Sequence, residues 1–300
     1  MSEVLIKIIP IILLFILGFV LKKLNFLSKE NADLFLKIVF FIALPSLIFL
    51  SVLKLSLSAE FVILPFAAIF ILLSTFVLAF FCGKFLKLSN QSFGTFLIGS
   101  TIMNMAFTFP FIVSALGEEA LALAALFDLG NGLLVYTFVY FFAVKYGNKR
   151  DDSKAMLKKF LFSLPLWAFI MGIIFNLVSI NVPEIGLNFL QLLGNLLTPL
   201  LMLSIGIYLS PKIVKVIPTI AVLLIRMLGG FVLGLIFVSV LGIDGLTKTI
   251  ILIGSSAPIG LNTITFSSLE NLDKEFAASL VSIAFILGVL FTPLIIILFS

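Results

Sequence analysis

The sequence predicts an all-α integral membrane protein, with ten transmembrane helices in two inverted five-helix repeats and with the fourth and ninth helices broken. Three observations predict it. Hydrophobic residues make up 62% of 300 positions and charged residues 11%, against roughly 45–50% and about 25% in a soluble domain. The apolar residues fall into runs of roughly 18 to 25 with almost no interior charge, the length that crosses a hydrocarbon core of about 30 Å. Segments of the first half also recur in the second at a nearly constant offset. Only helices and closed barrels satisfy every backbone group in lipid, and runs this long without dyad alternation are helices.

The first span, Val4–Leu21, is too long for a signal-peptide core and lacks a small-residue cleavage site after it, so it is expected to be retained. Leu34–Leu53 follows, with Lys37 close enough to one end to snorkel. The third span is Phe61–Phe81, in which Pro65 reads as an ordinary kink, and the fourth is Phe93–Leu116. Glu118 and Glu119 are expected in a short external turn before the fifth, Ala120–Val144. The sixth and seventh are Phe160–Val178 and Leu187–Leu209. In the seventh, Asn188, Gln191, Asn195 and Thr198 recur at helical spacing; this polar stripe either lines an outward-facing cavity or forms a hydrogen-bonded helix seam. Ile213–Leu241, Thr249–Leu269 and Phe276–Phe299 complete the set. The one cysteine, Cys82, excludes a disulfide framework within the chain and a multi-cysteine metal site, and reads as a packing residue.

Orientation follows from the basic residues, because Lys and Arg in short loops stay in the cytoplasm. Connections after odd-numbered spans carry 14 of them and the opposite side carries three, Lys7, Lys54 and Lys248. Both termini are therefore expected outside. The loop Lys145–Lys159 is expected in the cytoplasm, as a topology signal rather than a partner or lipid site. The net charge of +5 is spent on topology and calls for no nucleic acid.

The repeat is read from three matches. Phe15-Ile16-Leu17-Gly18 returns as Phe169-Ile170-Met171-Gly172, and Leu44-Pro45 with Ser51 returns as Thr198-Pro199 with Ser204, both shifted by 154. Ile98-Gly99-Ser100-Thr101 returns as Ile253-Gly254-Ser255-Ser256, shifted by 155. Such a repeat holds five spans, and an odd number inverts the second half. Inverted repeats are a hallmark of secondary transporters, where similar halves supply inward-open and outward-open states. Residues 1–144 form the first repeat, 145–159 the cytoplasmic basic loop and 160–300 the second repeat.

Helix breakers at corresponding places in the two halves point to a transporter's binding site. The fourth span holds Ser100-Thr101-Ile102-Met103-Asn104, then Thr108-Phe109-Pro110; the ninth holds Gly254-Ser255-Ser256-Ala257-Pro258, then Gly260-Leu261-Asn262-Thr263. Proline lacks an N–H and clashes with the preceding turn, so each span is expected to unwind near its middle. Freed carbonyls and half-helix N-termini can then hold an ion or an anionic group.

Two ionisable residues lie near the middle of a span, Asp128 and Arg226. Each would cost roughly 2.5–3.5 kcal/mol facing lipid, so each should face protein or water. Asp128 shares a helical face with Asn131. Either Asp128 is a proton or cation site, with Arg226 as its counter-charge or as the anchor of an anion, or the two form a structural ion pair. Enzymatic readings fare poorly. With no histidine, Ser-His and Cys-His nucleophile pairs and most zinc sites are excluded, and no cofactor is expected.

Ala43-Leu44-Pro45, Asn104 through Pro110, Asp128 with Asn131, Thr198-Pro199 with Ser204-Ile205-Gly206, and Ala257-Pro258 with Asn262 give the chain its resemblance, over essentially its whole length, to a bacterial member of the auxin efflux carrier family. That family includes plant auxin exporters and bacterial malate permeases. The resemblance implies a scaffold of spans 1, 2, 6 and 7, and a mobile transport domain of spans 3–5 and 8–10. It also implies that the broken spans cross at Pro110 and Pro258 beside the substrate, that movement is elevator-like, and that the substrate is a small organic anion such as a carboxylate. The residues expected to hold it are Thr101, Asn104, Thr108, Pro110, Asn131, Arg226, Pro258, Asn262 and Thr263, with Asp128 as the coupling-ion site. Two departures bear on substrate and coupling. Thr108-Phe109 stands where many relatives have a glycine before the proline, and Phe61–Phe81 lacks the charged residue of the plant carriers, so neither auxin nor plant-type coupling is expected.

The expected function is thus a secondary carrier in the cell membrane. A channel, or a membrane receptor or scaffold without transport, are the alternatives, and a channel would want a more continuous polar pore than these spans offer. Expected partners are the organic anion, a proton or sodium as coupling ion, membrane lipid and a second copy of the chain.

Overall fold

The computed structural model describes residues 2–54, 60–147, 157–158, 161–210 and 212–299. Among these residues the secondary structure is helical apart from one isolated antiparallel residue pair. Among the described residues twelve helices of eight or more residues follow in chain order: α1 Ser2–Lys23, α2 Lys29–Leu53, α3 Glu60–Phe85, α4 Asn90–Thr101, α5 Met105–Leu116, α6 Glu118–Tyr146, α7 Leu164–Leu177, α8 Glu184–Tyr208, α9 Val216–Leu241, α10 Gly245–Ser255, α11 Asn262–Leu269 and α12 Lys274–Phe299. Among the described residues six helices, α2, α3, α6, α8, α9 and α12, are long and apolar enough to cross a membrane. The apolar run 93–116 is two helices, α4 and α5, and the run 249–269 is α10 and α11. Lys149, Arg150, Lys154 and Lys159 of the expected cytoplasmic loop lie outside the described residues.

Proline shapes the helices where it removes a ladder hydrogen bond. α2 passes through a π-helical turn at Val39–Ala43 just before Pro45. α8 relaxes into a turn at Asn195 and Leu196 just before Pro199, the repeat-matched proline. Two more π turns, Val135–Val139 in α6 and Leu224–Gly229 in α9, contain no proline; such turns often mark functional positions.

The chain divides into two compact units. The first comprises 1–61, 106–125 and 161–209. In it α1 packs along Leu197–Tyr208 of α8, and α7 along Leu44–Leu53 of α2. Side chains satisfy the helix ends, whose last carbonyls have no partner within the helix. Lys22 Nζ donates to Leu209 O at 2.6 Å, and Asn176 Nδ2 donates to Val52 O and Leu53 O at 3.2 and 2.8 Å. Glu118 and Glu119 open α6 rather than sitting in a turn. Carboxylates suit that position because a helix N-terminus is electropositive, and Glu118 pairs with Lys54 at 3.2 Å.

The second unit comprises 62–105, 126–160 and 210–300. At its centre lie two short helices, with residues 92–101 of α4 and 249–255 of α10 all buried. α12 packs against α4, α9 and α10. Aromatic rings join α3, α6 and α4: Phe76 lies 4.8 Å from Phe138 and 4.5 Å from Phe142, and Phe80 lies 6.0 Å from Phe93, in the edge and tilted geometries that rings prefer.

Candidate functional site

α4 ends at Thr101 and α5 begins at Met105; α10 ends at Ser255 and α11 begins at Asn262. Both breaks lie in the second unit and meet there. Met103 faces Ile259 as an antiparallel pair. Asn104 N–H donates to Pro258 O at 2.9 Å and Gly260 N–H donates to Ile102 O at 3.2 Å, so residues freed from the helical ladder satisfy one another. In a membrane core, unwound backbone survives only with such internal partners. The Asn104 side chain adds a bond to Ile259 O, 155 positions further on and at the offset of the sequence repeat. The approach is close enough to favour glycine, since a Cβ on Gly260 would lie 2.3 Å from Ile102 Cγ2 unless that side chain shifted.

The break in the fourth apolar run therefore falls at 102–104 and not at Pro110, which lies inside α5. Pro258 does lie in its break, and its carbonyl accepts the bond from Asn104. Thr108 and Pro110 are buried and belong to the first unit.

Asp128 and Asn131 share a face of α6. Asn131 Nδ2 donates to Asp128 Oδ1 at 2.7 Å and to Met103 O at 3.1 Å, tying α6 to the break. Asp128 is half-buried and Asn131 is 4% exposed. Three side-chain oxygens in this region are buried without a partner: Ser100 Oγ, Asn131 Oδ1 and Thr263 Oγ1. Unsatisfied buried acceptors are rare and costly. Thr101, by contrast, turns its hydroxyl back to Leu97 O at 2.6 Å and offers the region only its carbonyl. Asn262 Nδ2 donates to Tyr136 Oη at 3.4 Å. Sequence reasoning passed over Tyr136, although it lies two helical turns beyond Asp128 on the same helix.

Arg226 is not paired with Asp128; among the described residues the two form no ion pair. Arg226 is fully buried in the π turn of α9. Its guanidinium donates to Ala257 O and Thr101 O, each at 3.4 Å, and to Ser255 O. Thr101 and Ser255 are the last residues of α4 and α10. A helix C-terminus carries about −0.5 charge, so one buried guanidinium balances two helix ends. Gly230 lets α9 come this close, since a Cβ there would lie 2.1 Å from Ser255 O. With the C-terminal ends balanced, the electropositive N-terminal ends of α5 and α11 remain beside the crossing. The polar stripe of α8 stays partly exposed, with Gln191 bonded along the helix to Asn195 at 3.1 Å.

Comparison with known proteins finds a membrane transport family and transporter relatives. The family described as membrane transport protein matches residues 3–296. An uncharacterized transporter of Methanocaldococcus jannaschii is 30% identical over 283 residues, 90% of each chain. An uncharacterized transporter of Methanothermobacter thermautotrophicus is 25% identical over 292 residues, 96% of this chain and 95% of that one.

Proposed function

Because the chain belongs to the membrane transport protein family, which is the auxin efflux carrier family of the sequence resemblance, we propose that it is a secondary transporter moving a small organic anion by elevator-type alternating access. The observation that carries this reading is the crossing of two broken helices in one unit, Met103 against Ile259. Broken helices that meet with their ends together are how transporters hold a solute among apolar spans. The preference for an anion is supported by the electropositive ends of α5 and α11 and by the two C-terminal ends that Arg226 already balances.

In this reading the twelve helices make ten passages, with α4 and α5 forming one and α10 and α11 another, in two inverted halves with both termini outside the cell membrane. Spans 1, 2, 6 and 7, which are α1, α2, α7 and α8, form the scaffold, and the remaining helices form the moving carrier. Asn104, Asn131, Pro258, Asn262 and Thr263 surround the solute. Asp128 takes the coupling ion, a proton or sodium.

The test is counterflow. Purified protein in liposomes loaded with unlabelled carboxylate should transiently concentrate the same labelled carboxylate from outside, within a panel of mono- and dicarboxylates. Leakage down the gradient without any overshoot would instead mark a channel, and no movement of any member would leave a receptor or scaffold.

A further inference from the structure

Arg226 is the one fully buried cation among the described residues, and no carboxylate answers it. Burying a guanidinium unpaired is costly, so its three carbonyl contacts must serve the unit. They fall at the ends of two helices that are far apart in sequence, Thr101 of α4 and Ser255 of α10, and at Ala257 inside the second break. One residue after Thr101 stands Ile102, whose carbonyl accepts from Gly260; one residue after Ala257 stands Pro258, whose carbonyl accepts from Asn104. The planar fork thus grips both broken segments beside the two hydrogen bonds that join them, as a fixed array of donors can and a single ammonium cannot.

We infer that Arg226 is a positioning residue: it clasps the C-terminal ends of α4 and α10 and holds the crossing in register, without touching the solute. Its π turn supports this, because the turn displaces the helix ladder at the place where the side chain leaves α9. The consequence for transport rests on the proposed function, but the clasp itself is readable without any solute.

The experiment is hydrogen exchange on the full chain in lipid nanodiscs, comparing native protein, Arg226→Gln and Arg226→Lys. The amides read are those of Asn104 and Gly260, with 280–285 of α12 as the internal control. Arg226→Gln should speed exchange at both crossing amides by at least about tenfold, the scale of losing hydrogen bonds to a charged group, and leave α12 as native. Arg226→Lys keeps the charge but not the fork and should recover less than half of the logarithmic change. Native protection at either amide in Arg226→Gln, acceleration spread equally over α12, or full recovery by lysine would each overturn the clasp. So would failure of both variants to fold, because Arg226 would then hold the unit as a whole and not its crossing.

Discussion

Met103 and Ile259 face each other as a single antiparallel pair, flanked by the bonds from Asn104 to Pro258 and from Gly260 to Ile102. That pattern makes them a non-hydrogen-bonded pair, for which Cα atoms lie about 4.5 Å apart, inside the range a disulfide accepts. In a chain with Cys82 replaced by serine, Met103→Cys with Ile259→Cys should therefore cross-link rapidly under mild oxidation, and Leu97→Cys with Ile259→Cys should not. Equal rates for the two pairs would show that the breaks do not meet as described.

A Cβ at position 260 would meet the tip of one side chain, Ile102 Cγ2. Gly260→Ala should cost about 1–3 kcal/mol, the usual range for overpacking. Adding Ile102→Ala should recover most of it. Thermal unfolding in detergent measures both; no recovery in the double variant would place the strain in the backbone.

Asp128 and Arg226 form no ion pair, so their contributions should add. A double-mutant cycle of Asp128→Asn and Arg226→Gln is expected to give a coupling energy below about 0.5 kcal/mol, where a buried pair would give several. Asp128→Asn alone should abolish accumulation driven by a pH gradient and leave exchange at equal pH largely intact. Retention of pH-driven accumulation would remove Asp128 from coupling.

Asp273 lies just before α12 and closes a polar cluster. It accepts from Ser92 Oγ at 2.8 Å and from Lys215 Nζ at 2.7 Å, and its N–H donates to Thr95 Oγ1 at 3.1 Å. Burial pushes its carboxyl up, but Lys215, Ser92 and the Phe276 N–H outweigh burial and hold it below the usual carboxylate value. A lowered folded pKa contributes stability above the unfolded value of about 4 and loses it as pH falls through the folded value. Asp273→Asn should therefore cost about 1 kcal/mol at neutral pH, a modest figure because Lys215 is partly exposed. The gap to native protein should close below about pH 4. A gap that stays constant down to pH 3 would mean that the charge is not what stabilises the cluster.

Helix positions were legible because lipid leaves few alternatives to a long apolar helix, and because charge and proline mark the ends and weak points. The existence of a break in each half was legible from Pro258 in the ninth span and from Pro110, near Asn104 and small hydroxylated residues, in the fourth. Its location in the first half was not. Pro110 sits a turn and a half into α5, where losing one ladder bond is tolerated, while the true break at 102–104 is stabilised by bonds from residues about 155 positions away. No local pattern announces such partners. For the same reason the sequence pointed to Arg226 as unusual but not to its contacts, since backbone carbonyls carry no residue signature.

The most direct measurement of the central claim, alternating access at the crossing, is labelling of one residue from both sides of the membrane. Asn262→Cys, in the chain lacking Cys82 and reconstituted in sealed liposomes of known orientation, is treated with a membrane-impermeant thiol reagent outside or trapped inside. The account predicts labelling from either side, no passage of reagent across the bilayer, and a shift in the ratio of the two rates when a transported carboxylate is added on one side. Labelling from one side alone under every condition, or free passage of the reagent, would contradict it.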